Sequence, residues 1–168
     1  MKIHGSINIF DKEYNKGDDV PWYYIYPALY LLIVFFGVGS IWLAYGEVLK
    51  SEEGLLFFRV LLLSIFAVSY YIIFGIDEFK WIFINIFLGT VGILGEYEVI
   101  GYFFGLDISE YSLSINIFPF LFYVLFIFLL RQTFIDIAGA RENPKRKKYV
   151  EIGFILVFIC VYVFYFTI

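Results

Sequence analysis

Apolar residues in this chain run in long unbroken blocks and do not alternate with polar ones. Five blocks approach the roughly 20 residues that a helix needs to cross a hydrocarbon core about 30 Å thick. They run from about Trp22 to Tyr45, Leu55 to Ile76, Trp81 to Phe104, Leu113 to Leu130, and Tyr149 to Ile168. Because they are apolar on every side and lack period-2 alternation, they predict helices and exclude barrel strands. The expected fold is all-α: a polytopic bundle of five transmembrane helices over residues 22–168, behind a short cytoplasmic segment at 1–21 and with a basic cytoplasmic loop at 131–148. A four-span alternative, with the last block lying flat on the membrane, leaves the first four assignments intact.

Composition agrees with a bilayer as solvent. Of the 168 residues, 62% are hydrophobic, 24% aromatic and 17% charged, with a mean hydropathy of +0.85, which leaves too little polar surface to solvate a small water-soluble domain. A net charge of −4 provides no basic field for nucleic acid. Cys160 is the one cysteine and His4 the one histidine, so disulfides, His-based dyads and Cys/His zinc sites lack their residues. No cofactor is expected, and only a carboxylate metal site stays formally open. No apolar segment follows the first lysine closely enough to make a cleavable signal, so targeting falls to the first span.

Charge placement predicts orientation. With five spans, one side of the membrane holds Lys2, Lys12, Lys16, Lys80, Arg131, Arg141, Lys145, Arg146, Lys147 and Lys148; the other holds only Lys50, and Arg59 within the second block completes the twelve. Cytoplasmic segments retain Lys and Arg. A multi-pass protein of the cytoplasmic or inner membrane follows, with the N-terminus inside and the C-terminus outside. Trp22, Tyr23, Tyr24 and Tyr26, then Trp42 and Tyr45, then Trp81 fall at block ends, where aromatic girdles belong. Pro119 lies deep enough in its block to kink it, whereas Pro27 is near a start.

Ionisable residues inside spans cost about 2.5–3.5 kcal/mol at a helix centre and so become candidates for function. Arg59, Glu96 and Glu98 qualify, at similar depths below the outer surface in this topology. That permits a pair between Arg59 and one glutamate, while Arg59 reaching to the outer interface, and the third span ending near Gly95, remain alternatives. The glutamates lie about 200° apart on a helix and form no acid/base pair by themselves. Small residues line two faces of the third span (Gly89 and Gly92 with Glu96; Gly95, Gly101 and Gly105 with Glu98), and Gly37, Ser40 and Ala44 line the first. Such stripes let helix backbones approach closely, which marks the third span as the expected central helix. Arg141, Lys145, Arg146, Lys147 and Lys148 orient the last span or bind anionic lipid. Asp136 and Arg141, five apart, are poorly spaced to pair on one helix.

No catalytic set assembles from these residues. The expected function is therefore that of a non-catalytic membrane protein working by helix–helix contact with another membrane protein or its own copies: a complex subunit, an accessory factor or a toxin protector. The alternative is a small oligomeric transporter or channel with Glu96 or Glu98 as its proton or cation site. Membrane lipid is the other expected partner.

Overall fold

Where the apolar blocks are described they are helical, and a helix satisfies each backbone group within its own segment. The computed structural model describes residues 1–9, 11–45, 52–90, 102, 105 and 113–167, with the backbone alone at 40–45, 52–55, 58, 113–115 and 165–166. Its helices are α1 (Trp22–Tyr45), α2 (Glu52–Phe74), the short α3 (Ile76–Phe79), α4 (residues 81–90), α5 (Leu113–Ile137) and α6 (Pro144–Thr167). The chain is mostly helical. Among the described residues, two helical windows are long and apolar enough to cross a membrane, Trp22–Gly39 and Asn116–Ile137, and Arg59–Phe74 is a shorter apolar stretch. Contacts divide the chain into two units, Met1–Ile82 and Phe83–Ile168.

In the first unit α1 and α2 run antiparallel, joined by rings. Tyr26 lies 6.1 Å from Phe74 and Phe36 lies 6.1 Å from Phe66, with Tyr70 between the two α2 phenylalanines at 5.7 and 6.3 Å. The buried face of α1 reads Ile25, Tyr26, Leu29, Ile33, and that of α2 reads Arg59, Leu62, Phe66, Tyr70, Ile73. Both follow the three-and-four spacing of one helical stripe.

Residues 1–9 and 11–20 carry regular structure ahead of α1. They form a β-hairpin, β1 (Ile7–Ile9) with β2 (Lys12–Tyr14), antiparallel in the register Ile7↔Tyr14, Asn8↔Glu13 and Ile9↔Lys12. Asp11 turns it with φ 62°, a conformation that Asp tolerates better than most residues. The flanking chain closes on itself: the Met1 ammonium donates to the Val20 carbonyl at 2.8 Å, and Lys2 bridges to Asp19. Ile3, Tyr14 and Val20 are buried inside. The assembly docks on the end of α2, where the His4 amide donates to the Ile72 carbonyl at 2.9 Å, one of the last-turn carbonyls that a helix cannot satisfy internally. The all-α expectation thus acquires a two-stranded element.

In the second unit α5 is the buried helix. Phe118, Phe122, Val124, Leu125, Ile127, Phe128 and Leu129 are all buried, and 56% of its apolar window is enclosed against 22% of that of α1. Gly89 on α4 packs against α5, where a Cβ would lie 3.1 Å from Val124; most of the third apolar block, expected to be the central helix, lies outside the described residues. The helix continues through Pro119. Hydroxyls in these helices bond back one turn, Ser64 to Val60, Ser69 to Ile65, Thr90 to Ile86, Thr133 to Leu129 and Thr167 to Val163, at 2.7–2.9 Å. That arrangement satisfies each hydroxyl within its own helix.

Candidate functional site

The basic segment predicted as a loop over 131–148 is mostly helix. Its turn is confined to residues 138–143 by two local signals. At the end of α5, Gly139 takes φ 57°, and the Ala140 and Gly139 amides donate to the Ile135 and Asp136 carbonyls, each at 2.9 Å. This is a Schellman motif, which glycine enters without a Cβ penalty. At the start of α6, the Asn143 side-chain oxygen accepts from the Arg146 amide at 3.1 Å, and Pro144 follows at the first helical position, where a missing N–H costs nothing. Lys145, Arg146, Lys147 and Lys148 therefore occupy the first turn of a helix.

That reversal assembles a charged layer between α5 and α6. Arg131, fully buried, pairs with Glu151 of α6. Arg141 grips Asp136 through Nε to Oδ1 at 2.5 Å and Nη2 to Oδ2 at 2.8 Å, while Nη2 also donates to Gln132 Oε1 at 2.9 Å. The expectation that Asp136 and Arg141 are poorly spaced to pair is overturned. Their separation of five would matter on one helix, but Arg141 lies past the Gly139 turn, and the chain brings it back over the last turn of α5. Bidentate geometry and burial make such pairs strong once formed.

The other predicted positions fall as follows. Arg59 is 3% exposed on the inward face of α2. Glu96, Glu98, Gly92, Gly95 and Gly101 lie outside the described residues, as does any pairing of Arg59 with either glutamate. Ser40 and Ala44 fall where the backbone alone is described, and Gly37 is half-buried in α1. Gly105 is a correction: it is an exposed turn residue with φ 63°, not part of a helix-packing stripe, and it serves the left-handed conformation that glycine adopts without strain. Lys145, Arg146 and Lys148 are exposed and have no ion-pair partner among the described residues, whereas Lys147 is half-buried.

Sequence reasoning missed two positions. Asn85 of α4 is fully buried, with both its amide nitrogen and its amide oxygen lacking a hydrogen bond. An uncharged Asn in an apolar run gives little signal, although a buried amide without a partner costs about 1–3 kcal/mol. Gly39 of α1 has nothing among the described residues within 4 Å of a Cβ placed there. Among the described residues no group of three or more His, Cys, Asp or Glu is placed to hold a metal ion. No family model, curated protein or solved structure matches the chain.

Proposed function

We propose that this protein is a five-span membrane protein that does no chemistry and acts by helix–helix contact with another membrane protein. The observation that carries the reading is the contrast between two glycines. Gly89 is a notch filled by Val124 of its own unit, whose side chain would lie 3.1 Å from a Cβ placed there. Gly39 is the same kind of notch left open among the described residues, beside the exposed Leu32 and Phe35 of α1. In a bilayer, association comes from such close packing and not from burial of apolar area, because lipid is as apolar as the helix. Exposed side chains such as Leu31, Phe57, Phe87 and Phe164, together with hydroxyls bonded back to their own helices, support a lipid surrounding.

The test is copurification in mild detergent. Gly39→Leu fills the notch and is expected to abolish recovery of the partner while leaving insertion and abundance unchanged. Recovery unaffected by Gly39→Leu would remove the reading's main support. Purified protein in liposomes that carries proton or cation flux, lost on Glu96→Gln or Glu98→Gln, would establish the transporter alternative instead.

A further inference from the structure

The charges around the α5–α6 turn divide into two groups. Arg131 is neutralised by Glu151, and Arg141 by Asp136 with Gln132. Lys145, Arg146, Lys147 and Lys148 are four consecutive cations on the first turn of α6, and Glu142 is the one carboxylate between Ala138 and Tyr149. Successive residues step by about 100°, so the four fan around the helix. Lys147 lies on the side of Glu151 and Phe154, and the other three point outward. Arg146 extends over the turn, its Nη1 3.9 Å from where a Cβ on Gly139 would stand.

Helix energetics disfavour this placement. The amino end of a helix carries partial positive charge, so anions are favoured and cations disfavoured in its first turn. An external anion reverses the sign, since it meets both the helix end and the side chains. The surface below the cations shows which anion. Tyr149 is 76% exposed directly beneath them, and Ile152, Leu156, Val157 and Ile159 continue as an exposed apolar face. Beyond Tyr149 the apolar part of α6 rises about 27 Å at about 1.5 Å per residue, close to the thickness of a hydrocarbon core. A free phosphate matches only the charged turn; a phospholipid matches both the turn and the apolar face below it.

We propose that the first turn of α6 is a binding site for an anionic phospholipid, its phosphate held by Lys145, Arg146 and Lys148 and its acyl chains lying along Tyr149, Ile152 and Leu156. The proposal rests on the membrane reading but not on the partner reading. Arg141, although part of the same basic run, is excluded because Asp136 and Gln132 occupy its guanidinium.

The experiment titrates purified protein in zwitterionic detergent with phosphatidylglycerol or phosphatidylcholine and reads bound lipid by native mass spectrometry. Phosphatidylglycerol is expected to bind at least about tenfold more tightly. The combined Lys145→Gln, Arg146→Gln, Lys148→Gln variant should lose about fivefold for each charge removed, and Lys145→Arg with Lys148→Arg should retain the preference. Equal affinity of the unmodified protein for the two lipids overturns the proposal without requiring any variant to fold. So does a Gln variant that keeps the lipid preference while inverting in the membrane, which would leave the cations an orienting role alone. Inorganic phosphate that displaces the lipid at equal concentration would replace the lipid by a free anion. Extraction of the native protein from membranes by alkaline carbonate would defeat the membrane reading itself, whereas loss of partner copurification with lipid preference intact would defeat only the contact reading.

Discussion

Arg131 shows how a charged side chain comes to be fully buried near the turn that joins two apolar helices. It is buried among Phe128, Leu129 and Ile135 on α5, and Glu151 from α6 supplies its counter-charge. Removing one member of such a pair leaves the other charge buried and uncompensated, at about 3–5 kcal/mol, whereas removing both is often close to neutral. Arg131→Met is therefore expected to lower thermal stability in detergent sharply and Glu151→Met to do the same, while the double variant recovers most of the loss. A double variant as unstable as the sum of the singles would show that the two side chains act independently. The Asp136–Arg141–Gln132 cluster one turn further on follows the same logic with better geometry, since both carboxylate oxygens are engaged.

Among the elements, the N-terminal hairpin depends most on backbone conformation. Gly75 joins α2 to α3 with φ 81°, and a Cβ there would fall 2.6 Å from His4 Nδ1. Gly17 has φ 94° in the turn where the Asp18 amide donates to Asn15, but open space around it. Alanine at Gly17 meets backbone strain only. At Gly75 it meets strain and a steric clash, so Gly75→Ala is expected to release the hairpin to protease near residues 1–20 while Gly17→Ala leaves it protected. Equal protection of both would mean that the His4–Ile72 contact does not hold the hairpin. The helices were legible because unbroken apolar blocks leave one local solution, and their boundaries fell within a few residues of Trp22, Leu55 and Leu113. The hairpin was not legible. Ile3, Tyr14 and Val20 form its core from positions scattered among charges at no fixed period, and the turn lacks an Asn-Gly or Asp-Gly pair. The Asp136–Arg141 pair was missed for a related reason: spacing rules assume one continuous helix, and Gly139 ends it between the two.

For the whole molecule, topology is the property on which every depth argument rests, and two separate observations bear on it. Ten of the twelve Lys and Arg residues fall on one side if there are five spans, and cytoplasmic segments retain such residues. The second is the docking of His4 and Gly5 on Ile72 and Gly75 within the first unit. If α1 and α2 both span, it puts the N-terminus and the end of α2 on one face of the membrane. The α5–α6 turn reverses the chain in six residues, and with five spans the charge bias would put this basic turn on the cytoplasmic side. In a Cys160→Ser background, single cysteines at Lys50 and Ser109 should react with an impermeant thiol reagent on intact cells, and one at Pro144 should react only after the membrane is opened. Reaction at Pro144 with protection at Ser109 would invert the topology and place the lipid-binding turn on the outer leaflet. Reaction at all three would mean that the chain crosses fewer times than its apolar blocks allow, with one of them lying along the surface.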